Sequence, residues 1–337
     1  MTITIQQNIS LKAFNTLALP AHAAFYCEVF EAEQIPETIE FSLANKLPWM
    51  LLGEGSNIIL ASDFAGLVIH IKLRGITASV EKDSVWVDVA AGENWHALVE
   101  HTLAQGWFGL ENLALIPGTV GASPIQNIGA YGIEVAQRIE SVTGWSLEQQ
   151  CFQILSNQQC QFGYRDSIFK RELKDKFIIT QVRLQLSLIP EPVLYYPPLT
   201  EQFAHIQNPD PVLIAAAVEK VRREKLPDPA IAPNVGSFFK NPVIAESQYQ
   251  QLKNIYPELP GYAHDAQVKI PAAWLIDRAG WKGFRDHDVG VHANQALVLV
   301  NYGHASGGDI LELANRIRND ISQRYGIELE IEPRVYN

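Results

Sequence analysis

The chain is short of sulfur and of basic runs. Of its 337 residues only three are cysteine (Cys27, Cys151 and Cys160) and two are methionine. No CxxC or Cys/His spacing suggests zinc, so no metal is expected. An odd, small cysteine count fits a reducing compartment, not a disulfide scaffold. No apolar run approaches a membrane span. The opening MTITIQQNIS lacks the charged-then-apolar pattern of a signal peptide, and a cytoplasmic protein is expected. Acidic residues outnumber basic ones 37 to 26, giving a net charge of −11 with no long basic run. That argues against nucleic-acid and membrane-surface partners. Basic groups for an anionic ligand would have to be gathered locally. The nine histidines form no HExxH pair, and His287 and His292 read as structural or surface residues.

What the chain does have is core. Hydrophobic residues make up 47% and charged residues 19%, the balance of a globular protein rather than a disordered one. The length suits two or three domains.

The most informative stretch is PGTVGASPIQNIGAYG, Pro117–Gly132. Gly118, Gly121, Gly129 and Gly132 lack side chains, and Ala122, Ser123 and Ala130 are small. The run is poor helix and poor strand, yet too apolar for a solvated linker. Glycine permits positive φ and lets backbone N–H groups approach a ligand. Thr119, Ser123, Gln126 and Asn127 add hydrogen-bonding groups. One reading is a loop around a large, partly anionic cofactor. The other is a tightly packed turn in a β-rich core.

Up to about residue 70 the order is strand (Phe25–Phe30), helix within Glu31–Asn45, strand (Trp49–Leu52), then GEGSN (Gly53–Asn57). Strands at Ile58–Leu60 and Leu67–Ile71 follow. This resembles a nucleotide-handling unit, but Gly53 and Gly55 lack the third glycine of a dinucleotide fingerprint. Residues 75–205 read as β-rich. Val85–Ala91 is one strand, and Phe177–Leu188 alternates as another. Between them Asn94 caps a helix that carries Trp95, Leu98, Val99 and Leu103 on one face and stops at Gly106. A helix from Asp210-Pro211 carries the stripe Ile214, Ala217, Val218 and Val221 and ends at Leu226-Pro227. The proline-rich Pro227–Asn234 marks a boundary. Beyond it come a helix at Pro271–Arg278, a strand at Gln295–Asn301 and an amphipathic helix at Asp309–Tyr325 stopped by Gly326.

Three polar islands accompany the glycine loop. In FGYRDS, Phe162–Ser167, Arg165 is either a surface arginine paired with Asp166 or a guanidinium that forks onto a carboxylate. In NVGSFFKNP, Asn234–Pro242, Ser237 is either an ordinary strand serine or a shielded proton donor; without a GxSxG elbow it is not a hydrolase nucleophile. In IELEIEPRVY, Ile327–Tyr336, strand alternation would put Glu328, Glu330, Glu332 and Arg334 on one face. That face is either a solvated edge or a cleft wall where a buried acid keeps its proton.

Taken in order, the islands resemble one family, the UDP-N-acetylenolpyruvoylglucosamine reductases. LLGEGSNIIL, IPGTVGASPIQNIGAYG, FGYRDSIFK, KLPDP, GSFFKNP, WLIDRAGWKG, QALVLVN and GIELEIE carry the likeness across nearly the whole chain. The VLYYPPL segment is similar to the longer type, in which a tyrosine covers the substrate.

The resemblance implies an α+β fold: an FAD-binding module of the vanillyl-alcohol-oxidase type, in two α+β subdomains, plus a C-terminal α+β substrate-binding domain. The implied boundaries are 1–72, 73–225 and 226–326, with the strand at about 327–337 returning near the first subdomain. It implies non-covalent FAD, held by Gly53, Gly55, Ser56, Asn57, Pro117, Gly118, Gly121, Ala122, Ser123, Gln126, Asn127, Gly129, Ala130 and Tyr131. It implies NADPH as co-substrate and the enolpyruvyl sugar nucleotide as substrate, in a monomer serving peptidoglycan synthesis. Flavin N5 would deliver hydride to the alkene. Arg165 would stabilise the charge growing on the conjugated carboxylate, a protonated Glu332 would bond it, and Ser237 would protonate the adjacent carbon. Tyr164, Tyr196, Lys225, Asn241 and Gln295 would bind substrate.

Two departures accompany the resemblance. The proline near Glu332 is displaced, which leaves Glu330 as the fallback acid, and Pro197-Pro198 replace the more usual small and acidic residues after Tyr196. The residues leave two other readings open. One is an FAD-dependent oxidase of the same module, which calls for a His or Cys placed for covalent flavin attachment; the glycine loop has neither. The other is a nucleotide-sugar-binding protein without redox chemistry.

Overall fold

The computed structural model describes residues 3–337. Two compact units make up the chain. Of the described residues, the first comprises 3–9, 23–54 and 65–223; the second comprises 10–22, 55–64 and 224–337.

The first unit contains two large sheets and a two-stranded one, Gly129–Ala130 with Ile133–Glu134. One large sheet has the strand order Gln6–Ser10, His22–Val29, Phe64–Ile71, Trp49–Leu52. Trp49–Leu52 runs parallel to Leu67–His70 and feeds directly into Gly53. The connecting helix, Gln34–Ala44, buries Ile35 and Ile39 in the unit's core. The other large sheet is antiparallel, in the order Cys151–Ser156, Ile139–Ser146, Phe177–Ser187, Ser84–Ala90, Ile76–Glu81. In Phe177–Ser187 the even residues Val182, Leu184 and Leu186 are buried, as the period-two pattern requires. Helix Trp95–Ala104 is capped by Asn94, whose side chain accepts from the Ala97 N–H. Its Trp95, Leu98 and Val99 belong to the same core.

The second unit holds a sheet ordered Asn234–Ser237, Val298–Asn301, Val289–Val291, Arg285–Asp286. A three-stranded sheet of Val243–Ala245, Gln267–Lys269 and Tyr262–His264 stands beside it in sequence. Helix Gly307–Tyr325 begins with a Ser306/Asp309 capping box and ends at Gly326 in the left-handed region. It buries Ile310, Leu313, Ala314, Ile317 and Ile321.

Two expected strands are shorter than their patterns. Gln295–Asn301 is strand only at Val298–Asn301, because the Val298 N–H turns back to the Gln295 carbonyl. Ile327–Tyr336 is strand only at Arg334–Tyr336, which pairs parallel with Ile58–Leu60. Burial still alternates upstream, with Ile327 and Leu329 buried and Glu328 and Glu330 exposed. The alternation records which side faces the core; a ladder needs a neighbouring backbone as well.

Candidate active site

The glycine loop is built from its own backbone bonds. The N–H groups of Ala122, Ser123 and Ile128 return to Thr119, Val120 and Ser123 within the loop, and that of Gly121 goes to the Ala91 carbonyl. Several glycines are required by protein packing. A Cβ on Gly121 would lie 2.5 Å from the Ala91 Cβ, and one on Gly53 would lie 2.8 Å from the Thr119 hydroxyl. In the second unit, Gly55 has φ +62° and a Cβ there would meet the Phe14 carbonyl. So the packed-turn reading accounts for Gly121, and packing of the same kind holds Gly53 and Gly55. Asn127 is the brace: its Nδ2 donates to Glu134 Oε2 (2.7 Å) and the Gly163 carbonyl (3.0 Å), while Oδ1 accepts from the Ala136 N–H. Ser123 is buried and donates to the Val120 carbonyl. Ala122 and Pro117 face outward, and Gln126, Gly129, Ala130 and Tyr131 are half-buried.

Arg165 is not paired with Asp166, which instead bonds Arg171. The Gly163–Asp166 turn puts Arg165 in the left-handed region at φ +52° and directs its guanidinium to the glycine loop. There Nη2 donates to the Gly129 carbonyl at 2.6 Å and Nη1 to the Asn127 carbonyl at 3.4 Å. Its Cζ lies 5.5 Å from the Tyr164 ring centroid. The turn sends the two side chains to different partners.

A residue that sequence reasoning missed joins this cluster. The Arg222 Nε is buried without a hydrogen-bond partner. Burial, the largest cause, pushes its pKa down; Tyr131 opposes that shift and Arg165 adds to it. An orphaned, desolvated guanidinium donor beside a second arginine fits an anionic group of a ligand. This is the observation by which the first unit suits a large anionic cofactor. The available signal was spacing: Arg222 follows Ile214 and Val218 at four-residue intervals, on the buried stripe of helix Pro211–Lys225.

Tyr196 sits near the same loop. Its ring meets Tyr131 edge-on, with centroids 5.2 Å apart. Neighbouring Tyr195 donates its hydroxyl to the Gly132 carbonyl, and Asn112 Nδ2 donates to both Tyr131 and Val193 carbonyls.

In the second unit the serine and glutamate islands meet. The Glu332 N–H donates to the Phe238 carbonyl at 2.9 Å, and the Lys240 N–H to the Glu330 carbonyl at 3.0 Å. Phe238 and Phe239 are fully buried, which fixes the half-buried Ser237 just before them. Ser237 pairs in register with Val298, and the Phe238 N–H bonds the Leu297 carbonyl, so Gln295 lies on the adjoining turn. Glu330 points to solvent and forms an ion pair with Lys240, whereas Glu332 is half-buried. Asn241 Oδ1 caps helix Ala272–Arg278 through the Ala272 N–H, which leaves its amide N–H₂ for another partner. Lys225 is exposed at the end of its helix, and Ser56 and Asn57 are half-buried.

Two family profiles match the chain. The "FAD binding domain" profile covers residues 23–145. The "UDP-N-acetylenolpyruvoylglucosamine reductase, C-terminal domain" profile covers residues 228–336. The chain is 45% identical over 340 residues to the UDP-N-acetylenolpyruvoylglucosamine reductase of Chromobacterium violaceum, with 99% of this chain and 100% of that protein covered. It is 47% identical over 329 residues to that of Paraburkholderia phytofirmans, covering 96% and 95%. The crystal structure of UDP-N-acetylenolpyruvylglucosamine reductase from Thermus caldophilus superposes with a TM-score of 0.70 at 25% identity, covering 99% of this chain and 100% of that one.

Proposed function

The chain belongs to the UDP-N-acetylenolpyruvoylglucosamine reductase family, and on that premise we propose that it reduces the enolpyruvyl group of its sugar nucleotide, with FAD as cofactor and NADPH as reductant. The product is UDP-N-acetylmuramate, a peptidoglycan precursor. The observation that carries this reading is the Arg165 guanidinium on the glycine loop together with the orphaned buried Arg222 donor, whose charge Arg165 acts on, in a chain with net charge −11. Gathering two guanidiniums there, one with an unsatisfied buried donor, is costly unless an anion occupies the site.

FAD supplies the hydride when bound. The GEGSN segment and the exposed and half-buried positions of 117–131, among them Pro117, Ala122, Gln126, Gly129, Ala130 and Tyr131, would hold it. Arg165 stabilises negative charge on the substrate carboxylate, and its planar fork suits that group. Ser237, fixed by the buried Phe238 and Phe239, donates a proton to the carbon next to the carboxylate. Glu332 bonds the same carboxylate in its protonated form, since two carboxylates that share a site cannot both ionise. The Lys240 ion pair on exposed Glu330 favours Glu332 for this role. Lys225 and the free amide of Asn241 bind the diphosphate, with Tyr164, Tyr196 and Gln295 completing the substrate contacts.

The three-part division at 72 and 225 is part of this proposal; the pairing of Arg334–Tyr336 with Ile58–Leu60 supports the return of the C-terminus. So are a monomeric state and a cytoplasmic location, where charged nucleotide co-substrates are made. Among the described residues no helix is long and apolar enough to cross a membrane.

The test separates the half-reactions. Ser237→Ala leaves FAD reduction by NADPH within a factor of about two and slows reoxidation by substrate at least ~10²-fold, the value of a positioned proton donor. Equal slowing of both halves removes the assignment.

A further inference from the structure

We propose that Glu54 and Asn94 form a clamp of fixed polarity between the GEGSN segment and the glycine loop, and that both are positioning residues for the FAD diphosphate. The proposal rests on the FAD reading above.

Glu54 is exposed, and an acid at this place would ordinarily repel a diphosphate. Both its oxygens are turned to donors. Oε1 accepts from Asn94 Nδ2 at 2.6 Å, and Oε2 accepts from the Gly118 N–H at 3.1 Å. Asn94 in turn uses Oδ1 to cap helix Trp95–Ala104 through the Ala97 N–H, 2.8 Å away. Its backbone bridges Thr119, and the next residue's N–H bonds the Gly118 carbonyl at 2.9 Å. Thr119 packs on Gly53. The contacts therefore tie Gly53 and Glu54 to Gly118 and Thr119 through one helix N-terminus.

The polarity is set by the cap. The helix needs the Asn94 oxygen, so the amide cannot flip and must present N–H₂ to Glu54. Glu54 must then accept twice. Glu54→Gln sets an N–H₂ against either Asn94 Nδ2 or the Gly118 N–H. Asn94→Asp keeps the cap but brings two carboxylates within hydrogen-bond distance. The double variant Glu54→Gln/Asn94→Asp reverses the donor and acceptor: Gln Nε2 donates to Asp, Gln Oε1 accepts from Gly118, and Asp still caps Ala97. Net charge equals that of the wild type.

The experiment titrates FAD into apo protein by flavin fluorescence quenching and measures apo thermal unfolding alongside. Each single variant weakens FAD binding about 10- to 100-fold, in line with one lost charge-assisted hydrogen bond. The double variant returns to within about 3-fold of wild type. Wild-type affinity in both singles, or a double variant as weak as the product of the single losses, overturns the clamp. If Asn94→Asp does not fold, recovery of the folded state by added Glu54→Gln supports the clamp, and no recovery overturns it. Failure of the wild type to bind FAD at all overturns the FAD reading itself, a result distinct from either.

Discussion

Gly121→Ala places one methyl group where two fixed backbones already meet. The new Cβ would stand 2.5 Å from the Ala91 Cβ and 3.1 Å from its Cα and carbonyl oxygen. Carbon atoms pack at about 3.5–4.0 Å, so the loop must retreat by about 1 Å. Neither wall can give easily. The Gly121 N–H is bonded to the Ala91 carbonyl at 2.8 Å, the Val120 N–H to Glu93 at 2.8 Å, and the Ala91 N–H to Thr180 at 2.9 Å. Overpacking of this kind costs about 1–3 kcal/mol, and a stretched hydrogen bond adds about 1 kcal/mol. Apo Tm then falls by roughly 4–16 °C, at about 2–4 °C per kcal/mol. Because the displaced segment is the proposed FAD cradle, cofactor affinity falls about tenfold or more. Thermal unfolding of apo protein and fluorescence titration with FAD measure the two effects. Gly106→Ala is the control: φ is +72° and nothing lies within 4 Å, so it costs stability without touching the cradle. An unchanged Tm refutes the steric argument. A lowered Tm with wild-type FAD affinity refutes the link between loop and cofactor.

Arg165→Lys retains charge but not the fork, and one ammonium cannot replace both Arg165 bonds to Gly129 and Asn127 while serving a substrate carboxylate. Reoxidation of reduced enzyme by substrate slows at least ~10-fold in stopped flow, and unchanged reoxidation removes Arg165 from that role. Stability also has a titratable component at His70, which is buried on Phe64–Ile71 with Nδ1 2.6 Å from the Tyr26 hydroxyl. Burial is the main cause of a pKa pushed down to about 4. The unfolded chain holds this proton below about pH 6.5 and the folded chain does not, so the contribution is complete above that pH and is lost as pH falls toward 4. It amounts to roughly 1–3 kcal/mol; His70→Phe flattens the urea-unfolding profile between pH 4 and 6.5, and an unaltered slope contradicts the assignment.

Local signals carried much of the fold. The Asn94 cap, the Trp95–Leu98–Val99 stripe and the Gly326 stop are short-range chemistry, and each stands as written in the residues. What was hidden is long-range. The Glu332 bond to Phe238 joins backbone groups 94 residues apart, and no spacing rule anticipates it. The C-terminal run looked like one continuous ladder because burial alternates, but before Arg334 it pairs only at a single antiparallel bridge, Ile331 with Phe239. Arg222 was masked by its setting in the charged run KVRREK, which reads as a solvated face until the four-residue stripe is extended through it. At Gly53 and Gly121 the glycines were legible as a special loop. Packing against a neighbour was one of two readings open for Gly121; which neighbours, Thr119 for Gly53 and Ala91 for Gly121, no local pattern could name.

The most direct measurement mixes anaerobic, NADPH-reduced FAD enzyme with the enolpyruvyl sugar nucleotide and follows flavin absorbance. A reductase of this family restores the oxidised spectrum in one turnover, without oxygen, and forms one UDP-N-acetylmuramate per flavin. A spectrum that stays reduced until air is admitted, with the sugar nucleotide recovered intact, contradicts the account.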